Sequence, residues 1–182
     1  RIHNELSPFL NEDKIINYIH RFCLRHIKRN GKGEIGKIRF LSSPTPLGFH
    51  THYDTIFELA ENIVNINDET GFAGTIILGV IKKYALKEKI GFIASPSYFG
   101  KDLFQFLLFP TLKLALSISD SCHSLPFKSQ KEITVSRFFT NSSVMTNQKT
   151  KTLLSIENSL HDKAILSIYE GRDERFKYNK TA

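Results

Sequence analysis

"NINDETGFAGTIILGVIKKYALKEKIGFIAS", Asn65 to Ser95, decides the fold class. A short apolar run ends in polar residues, a Gly-Phe-Ala-Gly-Thr turn follows, and an apolar helix leads to a second apolar run. The spacing predicts a strand at about residues 63–66, a helix from about 74 to 86 and a strand at about 90–94. A helix between two strands implies a parallel, right-handed crossover.

The segments outward from this unit extend the pattern. Asn11 is an N-cap residue, Glu12 and Asp13 suit a first turn, and Ile15, Ile19, Phe22, Cys23 and Ile27 recur at helical spacing until Gly31 and Gly33. Lys37 to Leu41 alternates like a strand, "SSPTPLGF" reads as a loop, and residues 52–62 as a helix. "FQFLLFPTLKLALSIS", Phe104 to Ser119, gives one or two strands broken at Pro110, with Phe104, Phe106 and Phe109 as core, and Glu132 to Val135 is an edge candidate. The expected architecture is a three-layer α/β domain, a mainly parallel sheet flanked by helices. It is divided into a leading helix and linker (1–35), the α/β core (36–140), a polar loop (141–152) and a C-terminal helix (153–182).

The totals set limits. A chain of 182 residues suits one domain with a substantial core, and no run approaches the ~20 apolar residues of a membrane-spanning helix. It begins at Arg1 rather than Met and is read as a fragment or processed segment. Cys23 and Cys122 have no paired spacing, so neither a disulfide framework nor a zinc knuckle is indicated, and a cytoplasmic setting is the default. Net charge is +7 and uneven: Arg21, Arg25, Lys28, Arg29, Lys32, Lys37 and Arg39 are opposed only by Glu34. The block is either a solvated helix face with its following loop or a nucleic-acid contact centred on Arg21, Arg25, Lys28 and Arg29.

A phosphate loop needs G-x-x-x-x-G-K-[ST] between strand and helix. Glycines let backbone amides approach the phosphate, the lysine reaches the outer phosphates and the hydroxyl holds magnesium. Starting from Gly71, Ile76 replaces the second glycine, Ile77 the lysine and Leu78 the hydroxyl. Losing the lysine removes a charge-assisted bond worth about 1.5–3 kcal/mol, and burying each large apolar side chain gains about as much. What remains is Gly71, Gly74 and Thr75, a weak anion nest at a helix start.

Short motifs resemble one half of a two-half P-loop ATPase-like family of spore-forming bacteria. The family's Thr-Pro-x-Gly loop is matched by Thr45, Pro46 and Gly48, followed by Tyr53, Asp54 and Thr55. In "LLFPTLKLALSISDSCH", Pro110, Leu112 and His123 fall on family positions, and Ile118 stands where the family has an acid. "IHNEL" at Ile2 to Leu6 and "LHDKA" at Leu160 to Ala164 are similar to the helix start that closes each half. The resemblance implies a P-loop NTPase-like fold and a second such half, or another protein, as partner. It does not carry activity over, because lysine, hydroxyl and acid are all absent. The expectation is a non-hydrolysing structural or interaction domain with no catalytic residue, metal or cofactor. Weak ATP binding and a basic nucleic-acid-associated module are the alternatives.

Three other constellations are weaker. His50, His52 and Asp54 imitate the His-x-His of a metal hydrolase, with Asp120 and His123 as further ligands, but a solvent-exposed helix start explains them as well. Ser95, Ser97, Asp120 and His123 supply triad residue types without a G-x-S-x-G elbow, and are read as structural. Adjacent Cys122 and His123 would point to opposite faces of a strand, so a buried small cysteine is expected there.

Overall fold

A computed structural model describes residues 2–28, 36–45, 48–97, 103–121, 125–126 and 129–181. Helix α1 (Ile2–Leu6) leads into α2 (Glu12–His26), whose first turn is capped as the sequence predicts: Asn11 Oδ1 accepts from the Lys14 amide at 2.8 Å. After β1 (Lys37–Ile38), the stretch read as a loop forms a hairpin of β2 (Ser42–Thr45) and β3 (Gly48–Thr51). Pro44 hid it, yet proline is tolerated in a two-stranded ribbon, where each strand is an edge; Pro46 lies outside the described residues. Then come α3 (Tyr53–Leu59), β4 (Asn62–Asn67), α4 (Phe72–Lys87), β5 (Ile93–Pro96), β6 (Phe104–Phe109), β7 (Leu114–Ser119), β8 (Lys131–Thr134) and α5 (Gln148–Thr181).

The main sheet has six strands in the order β1-β5-β6-β7-β4-β8. Its pairs are parallel except those made by β6, which runs against both β5 and β7. The sheet is therefore mixed, with five strands sharing one direction, rather than an uninterrupted parallel array. The predicted β4-α4-β5 unit does join two parallel strands, but they are not neighbours, since the β6-β7 hairpin fills the gap between them.

Both faces are covered. Val64, Ile66, Leu107, Leu116 and Ile118 pack with α1, α2 and α4 in the larger core. Ile63, Phe106, Leu108 and Ala115 pack with Leu41 and with Ile56 of α3 in the smaller one. A register irregularity opposite Ser95 and Pro96 puts Phe104 and Phe106 on different faces, and β6 is buried at every position because both faces are covered, which hides its alternation in the sequence. The three phenylalanines read as core are buried.

Helix α4 is apolar nearly all round because α2 lies over it and the sheet beneath it. It approaches the sheet closely at Gly74, where an added Cβ would stand 3.1 Å from three side-chain atoms of Ile118. Gly74→Ala is expected to cost about 1–3 kcal/mol through overpacking, read as a lower urea midpoint with an unchanged m-value.

Among the described residues, no helix is long and apolar enough to cross a membrane. Helix α5 begins five residues before the predicted start, at Gln148, with Asn147 Oδ1 accepting from the Thr150 amide at 2.7 Å.

Candidate functional site at the start of helix α4

Only Asp68, Glu69, Thr70 and Gly71 separate β4 from α4. Gly71 is the N-cap and sits at φ +68°, a left-handed conformation that favours glycine. The helix therefore begins at Phe72, and the position aligned with a phosphate-loop lysine, Ile77, lies more than a turn inside it. Ile77 and Leu78 are completely buried.

The anion at this helix start belongs to the chain. Asp68 is pinned by its own amide, which donates to the Ser119 carbonyl at 2.9 Å. Its Oδ2 accepts from the Gly74 amide at 2.7 Å, and its Oδ1 accepts from the Thr70 amide at 3.2 Å and the Thr70 hydroxyl at 2.8 Å. Three donors and no acceptor around one carboxyl is the pattern of an ionised carboxylate, placed where the helix dipole favours negative charge. Thr75, the remaining polar residue of the nest, donates its hydroxyl to the Phe72 carbonyl at 2.8 Å.

Two opposing effects act on Asp68. Complete burial raises its pKa, the Gly74 and Thr70 hydrogen bonds lower it, and the nearby Asp120 carboxylate raises it again; burial wins, and the net direction is upward. A carboxyl whose folded pKa is raised adds stability that is fully present in acid and is lost as pH rises through the folded pKa. The Asp68 carboxyl carbon should therefore titrate by NMR with a midpoint above that of an ordinary aspartate. A midpoint at or below the ordinary value would mean that the donated hydrogen bonds dominate.

Outside this self-capped turn lies a cleft of about 220 Å³, at the carboxyl ends of β4 and β7. Thr70, Gly71 and Thr75 form one wall, and His3, Asp120 and Glu157 line it from α1, the end of β7 and α5. The His3 ring lies 4.6 Å from that of Phe72, and burial lowers the His3 pKa, opposed by Glu157 and Asp68. The carboxyl edge of the strands is where open α/β sheets receive ligands. Its fixed charges here are negative.

The sequence located Gly71, Gly74 and Thr75 at this helix start but missed Asp68, His3 and Glu157. The signal for Asp68 was present: an Asx residue at the end of a strand, three places before a glycine that opens a helix, is a capping and turn residue. His3 and Glu157 come from the two ends of the chain, and no local pattern links them. Ile118, at the position of the family acid, is buried against Gly74, and Asp120 faces the loop two residues later.

The other constellations are brought together only in part: Ser97 and Asp120 line this same cleft. His50 and His52 have ring centroids 4.9 Å apart, but no group of three or more His, Cys, Asp or Glu side chains suited to a metal ion occurs among the described residues. Ser95 is buried, and its Oγ accepts from the Leu41 amide at 3.0 Å. Cys122 and His123 lie outside the described residues. Burial pushes the Cys23 thiol up to about 12, which leaves it inert. Comparisons with protein-family models, curated proteins and solved structures found no match to this chain.

Proposed function

We propose that the chain is a P-loop-ATPase-like α/β domain that neither binds nor hydrolyses nucleotide strongly, and that acts as a structural or interaction half beside a second such domain. The observation that carries this reading is the 2.7 Å hydrogen bond from the Gly74 amide to Asp68: a side-chain carboxylate takes the place a phosphate would need. Asp120 and Glu157 in the adjoining cleft add repulsion to an incoming phosphate.

The partner half is supported by a difference between two similar segments. In α1, Ile2 and Leu6 of "IHNEL" are 1% and 0% exposed. In α5, Leu160 of "LHDKA" is 60% exposed, and Ile156, Leu166, Ile168 and Tyr169 are exposed with it. A segment similar to the one that docks α1 thus stands on α5 with Leu160 exposed among the described residues, and a second α/β half would supply a core for it.

Calorimetry of the purified chain with Mg-ATP tests the nucleotide side of the proposal. The expected result is no saturable heat. A Kd tighter than about 100 µM, some 5.5 kcal/mol of binding free energy, would favour the alternative of a retained ATP site.

A further inference from the structure

The basic block of the sequence is not one patch. Lys37 of β1 and Arg39 just after it lie at one edge of the sheet, whereas β8 at the opposite edge brings Lys131 to Arg21 and Arg25 of α2. Arg137, from the 3-10 helix Val135–Phe138, completes a second cleft of about 210 Å³ lined by these four cations with Tyr18, Phe22 and His26.

Three features set this cleft apart from a solvated charged face. None of the four cations forms a salt bridge with a carboxylate among the described residues. Two are held in place by aromatic rings: the Arg137 guanidinium lies 4.5 Å from the centre of the Tyr18 ring, and Lys131 Nζ lies 5.1 Å from that of Phe22. Lys131 Nζ also stands 3.2 Å from His26 Nε2, and burial, Lys131 and Arg25 together lower the His26 pKa. Glu132 belongs to the other face of β8, since Lys131 and the buried Ile133 share a face by strand alternation.

Like charges gathered in one cleft with no carboxylate paired to them among the described residues are costly to hold, and an anion would relieve that cost. We propose that this cleft binds the phosphate backbone of a nucleic-acid strand, without reading its sequence. Guanidinium groups match phosphate oxygens in a two-pronged geometry that a lone ammonium lacks. A chain of phosphates fits better than a single one, because Arg21 and Arg25 stand one turn apart on α2, a rise of about 6 Å, with Lys131 and Arg137 lining the same cleft. Bases are left unread: Phe22 is buried and the Tyr18 ring is covered by Arg137. The cleft shares no lining residue with the site at the start of α4, so this inference stands or falls separately from the proposed function.

Fluorescence anisotropy with a short labelled single-stranded oligonucleotide of mixed sequence, over a series of KCl concentrations, tests it. Three to four neutralised phosphates give an expected slope of log K against log salt of about −2 to −3. The exposed-residue double variant Arg25→Gln/Lys131→Gln should bind about tenfold more weakly, with the slope reduced by about 1.4. Lys37→Gln/Arg39→Gln, at the other sheet edge, should bind like the wild type. Arg21→Gln serves as an independent second variant, and thermal melting checks that each is folded. Absent binding, equal losses in the two double variants, or binding of inorganic pyrophosphate without the oligonucleotide would each overturn the proposal.

Discussion

Asp68→Ala is expected to lower the unfolding free energy by about 2–4 kcal/mol at neutral pH: it removes the carboxylate that holds the first turn of α4 and leaves the Gly74 amide buried without an acceptor and the half-buried Thr70 amide without its partner. Among the described residues, both amides donate to Asp68 alone. The burial cost that raises the Asp68 pKa offsets part of this, so the loss should be largest in acid, where the carboxyl is protonated and that cost is gone. Urea melts in chloride give the loss. Repeating them with added sulfate then tests the geometry, because an anion that enters the vacated seat stabilises the variant by about 1.4 kcal/mol for each tenfold excess over its Kd. The wild type, whose seat is filled, should gain only the small nonspecific increment. Equal sulfate effects on both proteins would mean that Asp68 does not occupy an anion site.

The double variant Ile77→Lys/Leu78→Ser rewrites the sequence towards a phosphate loop, and the expected result is failure to fold rather than a gain of ATP binding. Both positions are completely buried beneath α2 and above the sheet. The change discards about 1.5–3 kcal/mol of apolar burial per side chain and sets an ammonium in the core without a partner. A loss of about 4 kcal/mol or more is expected, seen as disappearance of the cooperative melt. A folded double variant that binds Mg-ATP would show instead that the loop keeps phosphate-loop register and that α4 starts later than Phe72.

The contrast between these two sites shows how much could be read from the sequence. Elements with one clean period were legible: α2 through Ile15, Ile19 and Phe22, and the strand-helix-strand order around α4. The β2-β3 hairpin was not, because Pro44 and Pro46 read as loop signals, whereas an isolated ribbon tolerates Pro44 within its strand. Strand order was not legible either, since the antiparallel β6-β7 hairpin enters between β4 and β5 for reasons of packing alone. At the site, the glycines announced a helix start, but what fills that start depends on where α4 begins. A shift of a few residues turns the aligned lysine position into core. The basic cleft was half legible: α2 supplied Arg21 and Arg25 in plain view, while Lys131 and Arg137 lie more than a hundred residues away.

The central claim is that the Gly74 amide is already spent on Asp68. Following that amide by NMR while the wild-type protein is titrated with Mg-ATP addresses it most directly. The account predicts a resonance that does not move and an amide that stays protected from hydrogen exchange throughout. A saturating shift of Gly74 together with Thr75 would contradict it, and would place a phosphate where the structure has a carboxylate.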